Sequence, residues 1–232
     1  MSGLERTAVE DALAGVYGKV SQVADELTEA AALLPSRCAG WVVLDVVYHE
    51  LLDARRALCT FASPSADVPD ADYASYWRPF APASGHPAAL GSNGPARHAR
   101  HVRIAASAYT QQMLAREWRE TAQAAVRAAR ACPHEALATQ GHTLRTADFI
   151  ATLAVEAAIH YLDMTVALPT APGPDPTSLA LTRQVLDELA GSPLPGGWDD
   201  ATCALKGTGR LPLTPADRSA LGPLAGKLPL FG

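Results

Sequence analysis

Glu156 and His160 stand four residues apart in ATLAVEAAIHYLDM, residues 151 to 164, a segment otherwise almost wholly apolar. On a helix, side chains at i and i+4 share one face. A carboxylate in apolar surroundings is costly unless it is paired or bound to a metal. GWVVLDVVYHELL, residues 40 to 52, repeats the pattern with Asp45 and His49. If the two helices face each other, His49, Glu156 and His160 supply two imidazoles and a carboxylate. Such a set suits zinc or a similar divalent ion and leaves one coordination position open, as catalytic sites do. Asp45 and Asp163 then become candidates to orient the imidazoles from behind. The competing reading is a metal-free core in which His160 is protonated against Glu156.

Helices must position these groups, and the composition favours them. The chain of 232 residues is 48% hydrophobic but only 6% aromatic, so its apolar residues are mainly aliphatic and alanine. Its formal charge of −5 argues against non-specific nucleic-acid binding. No apolar run reaches the roughly 20 residues of a membrane span, and the N-terminus lacks a secretory pattern. Cys38, Cys59, Cys132 and Cys203 form no CxxC pair and read as reduced thiols, which points to the cytoplasm.

Residues 5 to 33 carry Leu13, Val16, Val20, Val23 and Leu27 at a helical period, up to Pro35. Further helices are expected from Trp41 to Phe61, from Ala96 to Ala131, and from about Thr143 to Leu168. Together they make an all-α four-helix bundle over residues 1–168. PTAPGPDP, residues 169 to 176, reads as a linker. A small C-terminal appendage over 177–232 should hold a helix from Ser178 to Ala190, one or two strands with one near Ala201 to Lys206, and a short helix capped by Thr214.

Residues 63–95, rich in Pro, Gly and Ser, form either a lid or a surface excursion. Within them DYASYWRPF offers Tyr76, Trp77 and Arg78 to an organic anion or ring, or else pins the loop by its aromatics. Arg210 in GTGRLP is a further anion contact. RHARHVR places His98 and His101 among three arginines and reads as a solvated helix start. No Gly-x-Ser-x-Gly, Walker or Gly-x-Gly-x-x-Gly motif is present, and HELLD has the wrong spacing for a zincin.

LLPSRCAGWVVLDVVYHELLDARRAL, residues 33 to 58, resembles the signature of the mycothiol-dependent maleylpyruvate isomerases and their DinB/YfiT-like relatives. VEAAIHYLDM and the tail GTGRLPLTPADRSALG are similar to the same group. The resemblance implies a bundle that binds a divalent metal, zinc or nickel, through His49, Glu156 and His160. It also implies mycothiol as thiol cosubstrate, acting on a small-molecule electrophile; the residues leave monomer or homodimer open. An actinobacterial host fits the bias of sixteen Arg to three Lys. One departure leaves the substrate open: ATLAV precedes Glu156, where family members often carry an arginine. A thiolate on the metal would isomerise an electrophile if the adduct collapsed and transfer sulfur if it persisted; a water there would hydrolyse. A non-catalytic metal-binding bundle with a structural, sensing or partner-binding role is the alternative from another class.

Overall fold

A computed structural model describes residues 4–82 and 94–232. Helix α1, Arg6–Glu26, buries Val9, Leu13, Val16, Val20 and Val23 along one stripe. The single helix expected over 5–33 is broken. Leu27 is extended, and the Thr28 hydroxyl accepts from the Ala31 N–H at 3.2 Å to start α2, Glu29–Ala32. Helix α3, Val43–Phe61, and helix α6, Thr146–Met164, are the two that carry the chemistry. Almost every residue of α6 is buried, which explains its continuously apolar sequence.

The expected helix over 96–131 is also two. Helix α4, Gly94–Ala106, ends before Thr110, whose hydroxyl accepts from Met113 N–H and caps α5, Gln111–Ala131. Ahead of α6 lies a hairpin that the sequence reading missed. Strands β1, Ala136–Thr139, and β2, His142–Arg145, pair antiparallel with Leu137 opposite Leu144. Gln140 and Gly141 form its turn with φ of 46° and 82°, the left-handed pair a two-residue hairpin needs.

Helices α1, α3, α5 and α6 form the bundle, with α1 against α5 and α6, and α3 against the same two. Leu13, Leu51, Trp118, Ile150 and Met164 sit fully buried at its centre. Helix α7, Pro176–Ala190, is capped by Asp175 and closed by left-handed Gly191; it packs on α1 and α6. The strand expected near 201–206 is instead helix α8, Asp200–Gly207, opened by Asp199 accepting from Thr202 N–H at 2.7 Å. Helix α9, Pro215–Leu221, has the expected Thr214 cap. Lys206 Nζ and Trp198 Nε1 both donate to Asp217, at 2.6 and 2.7 Å, and so tie α9 back to α8. No described helix is long and apolar enough to cross a membrane.

Candidate metal centre

Helices α3 and α6 face each other with their polar residues level. Glu156 Oε1 lies 3.3 Å from His49 Nε2 and 3.4 Å from His160 Nε2. The two imidazoles stand nearly perpendicular, their centroids 4.8 Å apart. His49 and His160 are each 8% exposed, so both rings are held by the core and only their tips reach open space. The three residues predicted from sequence therefore meet at one point.

The charges there are unequal. Burial lowers the pKa of His49, with the Glu156 hydrogen bond opposing only in part. Burial also disfavours the charged form of His160, but the Asp163 and Glu156 carboxylates and the Cys38 sulfur outweigh it and raise this pKa well above the usual value. Glu156 is held well below the ordinary carboxylate range, because the hydrogen bonds of His160 and His49 outweigh its burial. Without a metal the centre is thus a neutral imidazole, a carboxylate and an imidazolium.

Behind His160, the Asp163 carboxylate accepts from Nδ1 at 3.0 Å. Asp163 also takes Arg210 Nε at 2.9 Å and the Cys38 thiol at 3.3 Å. Asp163 thus stands where it was expected, and Arg210 has a second use. Asp45 does not orient His49: its Oδ2 accepts from Val42 N–H at 3.0 Å and caps α3. Asp45 lies at the first turn of that helix, where free backbone N–H groups compete for a carboxylate. His49 Nδ1 is left buried without a hydrogen-bond partner among the described residues.

A cavity of about 450 Å³ opens over Glu156 and the two histidines. Trp41, Tyr76, Trp77, Phe80 and Phe231 supply aromatic walls. Tyr76 and Trp77 sit on a 3-10 helix, Ser75–Phe80, that is pinned rather than loose. Tyr76 OH accepts from Gln140 at 2.8 Å, and Trp77 stacks on Phe231 at 4.6 Å. Burial pushes the Tyr76 hydroxyl up to about 12. Arg78 does not join them; it is exposed and lines no part of the cavity. The rest of the 63–95 excursion, residues 83–93, lies outside the described residues.

Sequence reading missed several neighbours. His98 of α4 lies 5.5 Å from the His49 ring and lines the cavity, although RHARHVR looked like a solvated helix start. Asp53 and Arg56 line it too. Asp53 is four residues after His49, so the spacing that found the first pairs applied there as well. Donor atoms come within 4.8 Å of one another in three groups: His49, Asp53 and Glu156; His49, Glu50 and His160; Cys38, His160 and Asp163.

The donor set fits a divalent ion. Zinc with nitrogen and oxygen ligands at about 2.0–2.1 Å makes a tetrahedron whose edges are roughly 3.3 Å. The two Glu156 distances, 3.3 and 3.4 Å, have that length. His49, Glu156 and His160 are not together one of the groups within 4.8 Å, so the two imidazole tips must draw closer to share one ion. His160 already presents Nε2 with Nδ1 on a carboxylate, the arrangement of metal-ligating histidines.

Comparison with known proteins gives one family match. A family model described as the mycothiol maleylpyruvate isomerase N-terminal domain matches residues 17–165, more than half of the chain and all three central residues. No curated protein and no solved structure matches.

Proposed function

Since this chain belongs to the mycothiol maleylpyruvate isomerase N-terminal domain family, we propose that it is a metal-dependent enzyme using a low-molecular-weight thiol, mycothiol, on a small electrophile. The observation that carries the reading is Glu156 Oε1, set 3.3 and 3.4 Å from the two imidazole nitrogens on the floor of an aromatic cavity. His49, Glu156 and His160 would hold the ion, zinc or nickel. When bound, the ion would keep a thiol, whose pKa is otherwise near 8.5, as a thiolate able to add to an electrophilic carbon.

The residues around it do the rest. Asp163 fixes the tautomer of His160 by accepting from Nδ1, so that Nε2 faces the cavity. Trp77 and Phe231 exclude water from one wall, and Trp41 from another. Arg56 and Arg210 also line the cavity; each is paired with a carboxylate, Asp53 or Asp163, and the N–H groups left over suit an anionic electrophile. Isomerisation follows if the thiol adduct rotates and expels the thiol, and S-transfer follows if it does not. The cavity favours turnover over a purely structural ion, which needs no room for a substrate.

The test is metal content by elemental analysis on protein purified without added metal, followed by thiol-dependent turnover of unsaturated dicarboxylates. About one ion per chain is expected, lost in His49→Ala and His160→Ala while helicity persists. Turnover should require both the ion and mycothiol. No metal in the wild type, even after reconstitution with zinc, would sink the proposal.

A further inference from the structure

Asp53 stands one helical turn beyond His49 on α3 and lines the same cavity. Its Oδ2 lies 3.9 Å from His49 Nε2, the nitrogen that also faces Glu156. Donor atoms of His49, Asp53 and Glu156 fall within 4.8 Å of one another. The residue is 8% exposed, so it is a buried acid close to a second acid, Glu156. Two carboxylates so placed repel strongly unless positive charge lies between them. Arg56, three residues on, sets its charge against Asp53 Oδ1 without a hydrogen bond to it, and Oδ2 is left on the imidazole side.

We propose that Asp53 is a fourth protein ligand, so that this chain holds its metal with two imidazoles and two carboxylates. The inference rests on the reading that His49, Glu156 and His160 hold a divalent ion. The 3.9 Å separation exceeds a tetrahedral edge by roughly half an ångström, which rotation about two side-chain torsions can close. Two carboxylates also neutralise a dication, removing the repulsion between Asp53 and Glu156. A thiol entering the cavity then meets a filled shell. Asp53 is the donor best able to leave, because the Arg56 cation stands beside its other oxygen and can neutralise the released carboxylate.

The test is the full chain loaded with cobalt(II), whose visible bands report the ligand set, alongside zinc affinity by chelator competition. Wild type, Asp53→Ala, Asp53→Asn and His49→Ala are compared, with helicity checked by circular dichroism. In Asp53→Ala the cobalt spectrum should change and acetate should restore it. Zinc affinity should fall by about tenfold or more, since even supporting residues cost that much. Asp53→Asn should move both readouts the same way, and it decides the matter if Asp53→Ala does not fold. An unchanged cobalt spectrum in the Asp53 variants overturns the inference, whether or not affinity falls. In that outcome metal loss in His49→Ala leaves the three-ligand reading standing. A wild type that binds neither ion overturns both.

Discussion

Asp163, fully buried, holds the Nδ1 of His160 at 3.0 Å, while Arg210 from the C-terminal segment holds the same carboxylate at 2.9 Å. The ring is thereby fixed from behind by two parts of the chain that are 47 residues apart. Asp163→Asn keeps the shape but replaces one acceptor oxygen by an N–H donor, which either faces Nδ1 and unsettles the tautomer or opposes the Arg210 N–H. Metal affinity should drop about 10–100-fold, the usual cost of losing such a partner. Chelator competition on the folded variant measures it, and wild-type affinity would show that Asp163 does not tune the site.

Metal binding should also be pH-dependent, with a defined sign. In the metal-free protein His160 carries a proton on Nε2 against Glu156, its pKa raised well above the usual value despite burial. A metal ligand must be the neutral ring, so each ion displaces that proton. Below the raised pKa the apparent affinity should fall about tenfold for each pH unit lost. Zinc titrations at several pH values around neutrality test this. A flat profile would mean that His160 is already neutral when the metal arrives.

The helices that bear the site were legible because their constraints are strong. In α3 and α6 a run of aliphatic residues made Asp45, His49, Glu156 and His160 conspicuous, and their i, i+4 spacing gave them one face. Breaks elsewhere were not, because Thr28 and Thr110 act as caps inside stretches rich in helix formers. The hairpin escaped notice because each strand has only four residues. A strand was expected near Ala201 to Lys206 in a stretch broken by Gly and Pro, yet Asp199 capping set a helix there. Asp53 was hidden by the charged run DARR, and His98 by its arginines. Side chains of that kind are solvated in most helices, and only packing showed which face turned inward.

The placement of α5 in the bundle rests on Trp118, and that can be tested directly. Its ring is fully buried, meets Tyr17 of α1 edge-on at 5.0 Å, and donates to Ser21 Oγ at 3.0 Å. Trp118→Ala removes the largest fully buried side chain among the described residues and leaves the Ser21 hydroxyl without its donor. The loss should be about 3–5 kcal/mol in urea unfolding, while Trp118→Phe should cost distinctly less. A loss below about 1 kcal/mol would place Trp118 outside a packed core.

Glu50 gives the stability of the metal-free chain its pH dependence. The residue is 1% exposed, and one carboxyl oxygen has no partner among the described residues. Burial raises its pKa from 4.5 to about 8, with His160 opposing. Below the ordinary value both folded and unfolded chains carry the proton, and Glu50 costs nothing. As pH rises from there the unfolded chain releases it first, so stability falls until the folded-state value near 8 is passed. Each pH unit in that window costs on the order of 1.4 kcal/mol. His160, also raised, adds a loss of the same sign, so the wild-type slope alone does not isolate Glu50. Glu50→Gln does: with chelator present, it should be no more stable than wild type near pH 4.5 and clearly more stable near pH 8. Urea midpoints at the two pH values decide it. Parallel curves would show that the Glu50 carboxyl finds a partner or water in solution.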